Sequence, residues 1–353
     1  MNDKKFSITV MAIFAVLTLT VAAFNFWMDP LWHYSHAHGL NDVQIVADER
    51  EQKTAQQLYH PTHADTLLLG SSRSTYVQPA GFAEWDVYNY AVANLSMREY
   101  YTMLLYAFDQ NPDYERVLIG VDFFKSSEEQ AKNARAITGY ETKVQQPFYR
   151  AKNLLSFDVL GYAADNLELS ATDEVNADRL YNRNGDAFAK RLSEEEIKED
   201  TAAKITRFEN TFYGDNYVYY SKYKEIMQKV RDSHPEAEKI IYTTPISTEL
   251  FKSLVGTGLL DEYETWLRDL VEVNGSVWNF MYPNSVTNEI TNYYDGHHFY
   301  PEIGALISKR MEQGVDVDAD ADADVPEDFG VLVTEENIEA HLEMVRGLAA
   351  EFE

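Results

Sequence analysis

Five short apolar runs, spaced by stretches of helical periodicity, limit what residues 64–311 can fold into. They are Thr66–Gly70, Trp85–Val92, Arg116–Phe124, Lys239–Thr244 and Ser276–Met281, each of strand length and rich in β-branched or large apolar side chains. Between and after them, Met97–Asp109, Tyr219–Ser233, Leu259–Val273 and Ala305–Met311 repeat apolar residues at helical spacing. A chain that alternates strand and helix in this way builds a mostly parallel α/β sheet with helices on both faces. The interval 126–217 carries no strand pattern and reads as a helical insertion after the third strand, where loops of such sheets form substrate-facing caps. Its aromatics, among them Tyr140, Phe148, Tyr149, Phe157, Tyr162, Tyr181, Phe212 and Tyr213, suit core packing as well as stacking on sugars.

The N-terminus belongs to a different solvent. Lys4 and Lys5 precede an almost uncharged run, Phe6–Met28, which Asp29-Pro30 ends. At a rise of 1.5 Å per residue these 23 residues cover about 34 Å, enough for a hydrocarbon core of about 30 Å. Phe24, Phe26, Trp27 and Trp32 fit an interfacial aromatic belt, and no Lys or Arg follows before Arg50. The positive-inside bias therefore places residues 1–5 in the cytoplasm and everything after Asp29 outside. Val21-Ala22-Ala23 resembles a signal-peptidase site, but the apolar run is longer than a signal peptide needs, so an uncleaved single-pass anchor in the cytoplasmic membrane is expected. Residues 29–61 read as a juxtamembrane lead-in with one amphipathic helix near 43–58. His33, His36, His38, His60 and His63 lack the spacing of a metal site, and no metal or other cofactor is expected.

Charge excludes one class of partner. With 58 acidic against 30 basic side chains, a net charge of −28, a phosphate backbone has little to bind. The absence of cysteine removes thiol chemistry. Of the excess negative charge, 13 units fall in residues 312–353. There Asp316, Asp318, Asp320, Asp322, Asp324 and Glu327 have the spacing of a calcium loop, but Ala321 stands where such loops need Gly. A solvated linker over 312–328 is the simpler reading. Beyond it, Phe329–Val333 reads as a short strand or docking segment, and Glu335–Ala350 as an amphipathic helix with Ile338, Leu342, Val345 and Leu348 on one stripe.

Three blocks carry residues fit for chemistry. Leu67-Leu68-Leu69-Gly70-Ser71-Ser72-Arg73 runs from a strand into paired serines, where a serine next to helix N–H groups is placed as a nucleophile. Asp86–Ser96 leads a strand into an Asn-containing loop. Asp295-Gly296-His297-His298 sets a carboxylate three residues before an imidazole, so that one ring nitrogen is oriented while the other reaches a hydroxyl.

On these blocks the chain resembles the SGNH (GDSL-like) hydrolase superfamily over residues 62–311. It is most similar to the membrane-anchored branch that includes the D-alanyl-lipoteichoic acid transfer and alginate O-acetylation proteins, where the first motif is Gly-Ser-Ser. The resemblance implies a three-layer, flavodoxin-like, mostly parallel five-stranded sheet. It also implies Ser72 as nucleophile, His298 as general base, Asp295 as the residue that orients it, and backbone N–H groups of Ser72 and Asn94 as the oxyanion hole. Asn94 replaces a family Gly, which its ease in the left-handed conformation allows. Asp122, in Ile119-Gly120-Val121-Asp122, replaces a family Asn, and an ionised carboxylate would repel an oxyanion. Either Asp122 is protonated or structural, or the missing donor would come from Asn89, Asn94 or Arg73. Arg73 would either grip a sugar carboxylate or phosphate or pair with Asp122. The implied function is an extracytoplasmic serine esterase or O-acyltransferase acting on a cell-surface polysaccharide, working beside a membrane acyl-transfer or export partner. The alternative is a non-catalytic glycan-binding or scaffold component of such a system.

Overall fold

The computed structural model describes residues 3–172, 175–314 and 325–352. The chain divides into two units, one of Met1–Pro61 with Thr138–Asn184, the other of Thr62–Ile137 with Gly185–Glu353.

The second unit is built on a six-stranded sheet of β1 (Thr66–Leu69), β2 (Val87–Asn89), β3 (Arg116–Val121), β4 (Glu238–Thr243), β5 (Ser276–Asn279) and β6 (Val331–Thr334), in the order β2-β1-β3-β4-β5-β6. The first five are parallel, and β1 lies between β2 and β3 with Leu68 opposite both Asn89 and Leu118. All four residues of β1 are buried, as befits a strand covered on both faces. Five strands fall where the apolar runs put them, four of them shorter than their runs and β4 shifted by one residue. The sixth corrects the expected count. Residues of the tail pair antiparallel with β5, Ser276 opposite Thr334 and Asn279 opposite Val331, so the tail closes an edge that would otherwise expose unpaired backbone. The strand lies where Phe329–Val333 reads as a short strand or docking segment, but nothing in its own residues says which sheet edge it joins. The helix Ile338–Ala350 follows, burying Ile338, Leu342, Val345 and Ala349, with Leu348 only half-buried. Asp316, Asp318, Asp320, Asp322 and Asp324 lie outside the described residues.

The tail helix also carries a buried imidazole. Asn279 Nδ2 donates to His341 Nε2 at 2.8 Å, and burial pulls the His341 pKa down to about 4. The unfolded chain takes up this proton near pH 6.5 and the folded chain only near 4. The stabilising effect of a neutral His341 is thus complete above about pH 6.5 and is lost as pH falls toward 4, an order of 3 kcal/mol. Replacing it, His341→Gln, should flatten that part of the stability profile measured by urea unfolding between pH 4 and 7.

In the first unit, the helix Asp3–Met28 is, among the described residues, the one long and apolar enough to cross a membrane, with a mean hydropathy of 2.3 over an 18-residue window. Its hydroxyls bond back into the helix, Ser7 to the Asp3 carbonyl, Thr9 to Lys5 and Thr20 to Val16, each at 2.9 Å. The juxtamembrane helix runs Glu49–Tyr59 and is far from a surface amphipath. Glu49, Arg50, Glu51, Gln52, Lys53, Thr54, Ala55 and Gln57 are all buried. Several of them are matched: Glu49 takes Arg179 at 2.6 Å and the Tyr181 hydroxyl at 2.8 Å, Glu51 takes Lys143 and the Tyr149 hydroxyl, and Gln52 donates to the Pro30 and Ile45 carbonyls, whereas the Gln57 amide has no hydrogen-bond partner among the described residues. The expected insertion over 126–217 is therefore not one body. Residues 138–184 complete the first unit, and 185–217 belong to the second, together with the helix Glu194–Thr211.

Candidate active site

Strand order reverses at β1, with β2 on one side and β3 on the other, and the C-terminal ends of strands at such a point are where open α/β sheets hold ligands. Ser71 and Ser72 follow β1 at this place. Gly70 has no room for a side chain, since a Cβ there would overlap Ser74. Ser74 is itself fixed by the Tyr242 hydroxyl, which donates to its Oγ at 2.9 Å. The turn that carries Ser72 is thus pinned to the sheet from below.

The Asp295–His298 loop meets it from the far end of the chain. Gly296 takes a left-handed φ of 68°, which lets the Asp295 carboxylate fold over its own turn. Oδ1 accepts from the His297 and His298 backbone N–H groups at 3.0 and 2.7 Å. Oδ2 lies 2.9 Å from His298 Nδ1, and His298 Nε2 lies 2.9 Å from Ser72 Oγ. Tyr294 stacks parallel to the His298 ring at 5.3 Å, and its hydroxyl meets that of Tyr76. Gly304 holds the loop close: a Cβ there would overlap the Tyr76 carbonyl, so only glycine lets the helix Pro301–Gln313 ride against the segment after Ser72.

Asp295 has a second cation. Lys204, from the helix Glu194–Thr211, places Nζ 2.6 Å from the same Oδ2 that faces His298. Burial by itself would push the Asp295 carboxyl up, but His298 and Lys204 outweigh it and hold the group well below the usual aspartate range. The carboxylate that orients the imidazole stays ionised far into acid.

Three residues expected to touch substrate do other work. Arg73 and Asp122 form an ion pair at 2.7 Å with side chains 1% and 0% exposed. Asp122 Oδ1 also accepts from Thr244 Oγ1 at 2.5 Å, and Arg73 Nη1 donates to the Thr244 carbonyl at 3.2 Å. The pair ties the residue after Ser72 to the ends of β3 and β4, so of the two roles open to Arg73, the Asp122 partner is the one seen. Asn89 spends its amide on the Ser74 and Val77 carbonyls, both at 2.9 Å, and its Oδ1 on the Ala91 N–H. None of the three lines the cleft.

Asn94 does. It adopts a φ of 56°, the left-handed conformation that Asn tolerates better than most residues. Its Oδ1 accepts from Lys125, whose Nζ also donates to Gln130 Oε1 at 2.9 Å. Ser72, His298 and Asn94 open on one cleft of about 470 Å³, bounded also by Phe124, Phe208 and Phe212 and by three cations, Lys125, Lys204 and Arg207. Among the described residues no carboxylate lines it, in a chain whose net charge is −28. His297 forms part of the wall, edge-on to His298 at 4.6 Å between Phe124 and Phe208. Burial first, then the surrounding cations, hold its pKa well below the usual histidine value. Its Nδ1 is buried and has no hydrogen-bond partner among the described residues. A neutral imidazole in this position offers a substrate one polar atom.

The cations were the part sequence reasoning missed. Lys125, Lys204 and Arg207 sit on two separate elements and belong to no motif. The only available signal was negative, in that Lys204 and Arg207 share one face of a helix at i,i+3.

Comparison with protein-family models finds none that matches this chain, and comparison with curated proteins finds none similar to it.

Proposed function

We propose that the chain is a membrane-anchored serine esterase or O-acyltransferase of SGNH type, with its second unit outside the cytoplasm and an anionic envelope glycan as acyl acceptor or acyl-bearing substrate. The observation that carries this reading is the Ser72–His298–Asp295 relay opening on a cationic cleft. The order of the five parallel strands, 2-1-3-4-5, is that of flavodoxin-like doubly wound sheets and supports the family reading, with β6 as an addition.

Ser72 Oγ would attack the acyl carbonyl carbon while its proton passes to His298 Nε2, and Asp295 would stabilise the imidazolium through Nδ1. Collapse of the tetrahedral intermediate breaks the bond to the leaving oxygen, which takes the proton from His298. Water or a sugar hydroxyl then repeats the sequence on the acyl-serine. The oxyanion hole would consist of the Ser72 and Asn94 backbone N–H groups. With Asn89 and Arg73 committed elsewhere, the side-chain donor that the family Asn supplies falls to Asn94, whose amide Lys125 orients.

A fluorophosphonate probe should label Ser72 covalently in the folded protein and leave Ser72→Ala unlabelled. Clean absence of labelling would reject the enzyme. One observation favours the alternative, a glycan-binding or scaffold role: Asp122 offers no donor at the family's Asn position, so a hole with too few donors would leave only the cleft.

The charge of the cleft has its own consequence. Arg207 is exposed and lines the cleft without touching the triad. Arg207→Ala should raise KM for an anionic substrate about tenfold, the loss of about one charge-assisted hydrogen bond, and leave kcat and the hydrolysis of a small neutral ester unchanged.

A further inference from the structure

Large apolar side chains left in water are uncommon outside the N-terminal helix, and two of the most exposed sit together. Phe148 and Phe157 are each 79% exposed, and Leu155 between them 52%. Isolated exposed apolar residues need no account, but a cluster does. The cluster's position supplies one. Asn25, in the last turn of the apolar helix, is buried, and its Nδ2 donates to the Leu154 and Ser156 carbonyls at 3.0 and 3.2 Å. The helices Tyr149–Leu154 and Phe157–Thr172 both pack on the apolar helix. On that helix the partly or wholly covered positions include Thr18, Val21, Ala22, Asn25 and Met28, one stripe at i, i+3, i+4 spacing, while most of its other residues are bare.

We infer that residues 148–157 form a second membrane contact, with Phe148, Leu155 and Phe157 inserted into the outer-leaflet interface beside the end of the anchor. The bond to Asn25 fixes their depth: if Phe6–Met28 spans the bilayer, a segment joined to Asn25 lies within one helical turn, about 5 Å, of the helix's outer end. The flanking chemistry suits that level. Arg150 lies over the Tyr34 and Tyr59 rings at 5.2 and 4.5 Å, and Lys152 is exposed, so both cations can reach headgroup phosphates while the rings sit below. Phe26 and Trp27, 46% and 41% exposed, add aromatic rings at the same end of the anchor. The occupant is the lipid the anchor already crosses.

The absence of cysteine makes the test clean. Full-length Phe148→Cys, Phe157→Cys and Leu17→Cys, each carrying a nitroxide, would be reconstituted in phospholipid vesicles. Their collision rates with oxygen, which concentrates in lipid, and with a nickel chelate confined to water would be compared. Leu17 should read as bilayer interior, and the two phenylalanine positions as shallower but still lipid-facing. Water-like rates at both 148 and 157, with Leu17 in lipid, would overturn the inference, and a water-like Leu17 would overturn it by removing the membrane. Phe157→Trp should in addition show more quenching by lipids brominated near the glycerol end than the native chain, whose five tryptophans include Trp27 and Trp32 near the same level. No increase over the native chain would count against insertion even if a nitroxide disturbed the site.

Discussion

Asp122→Ala should destabilise the second unit by about 3–5 kcal/mol, the usual cost of leaving one partner of a buried ion pair without the other. Arg73 would keep its charge, at 1% exposure, with the Thr244 carbonyl as its remaining hydrogen-bond acceptor among the described residues. Esterase activity should fall with it, because the residue next to the nucleophile would lose its tether. Asp122→Asn keeps the shape but not the charge, and it should also lower stability and activity, by less. The opposite result, higher activity in Asp122→Asn, would mean that the carboxylate repels the oxyanion rather than holding Arg73. A double variant, Arg73→Met with Asp122→Leu, should recover most of the stability, since removing both charges of a buried pair is far cheaper than removing one. Denaturant unfolding of the three variants, with activity assayed on the fraction still folded, separates the two effects.

The second large effect concerns turnover. Ser72→Ala and His298→Ala should each remove nearly all esterase activity, and the double variant should be no worse than either, because the two act as one unit. Asp295→Asn should cost on the order of a thousandfold or more, since the imidazole is then no longer held in the required tautomer. Lys204 distinguishes this triad from a bare one. It shares Asp295 Oδ2 with His298, so it competes for the carboxylate that should stabilise the imidazolium. Lys204→Met should leave fluorophosphonate labelling of Ser72 intact and raise the turnover of a small neutral ester, because the Asp295 carboxylate is then no longer shared. Unchanged turnover would reduce Lys204 to a structural contact. Full activity in Ser72→Ala would end the nucleophile assignment.

What could be read in the sequence divides by range. β1 to β5 were legible because each is a local apolar run bounded by breakers. The Asp295–His298 relay was legible because its geometry is set within four residues by one Asx turn. The cations of the cleft were not, since Lys125, Lys204 and Arg207 are brought together by the fold and lie in no common pattern. The burial of the helix Glu49–Tyr59 was illegible for a related reason. Apart from Ala55, Leu58 and Tyr59, which pack with Val144 and Tyr149, its side chains are polar, and distant partners such as Tyr149 and Tyr181 are what match its buried carboxylates. The ambiguity over Arg73 was real at sequence level, because pairing with Asp122 depends on β1 and β3 being neighbours.

The first unit is discontinuous, and this sets a schedule for synthesis. Glu51 must wait 98 residues for the Tyr149 hydroxyl and Glu49 132 residues for Tyr181, while all of 62–137, bound for the other unit, emerges in between. During that interval Glu49 and Glu51 lack these two hydroxyls. A nascent chain halted at residue 137 should therefore present this stretch to proteases, and one released past residue 184 should not.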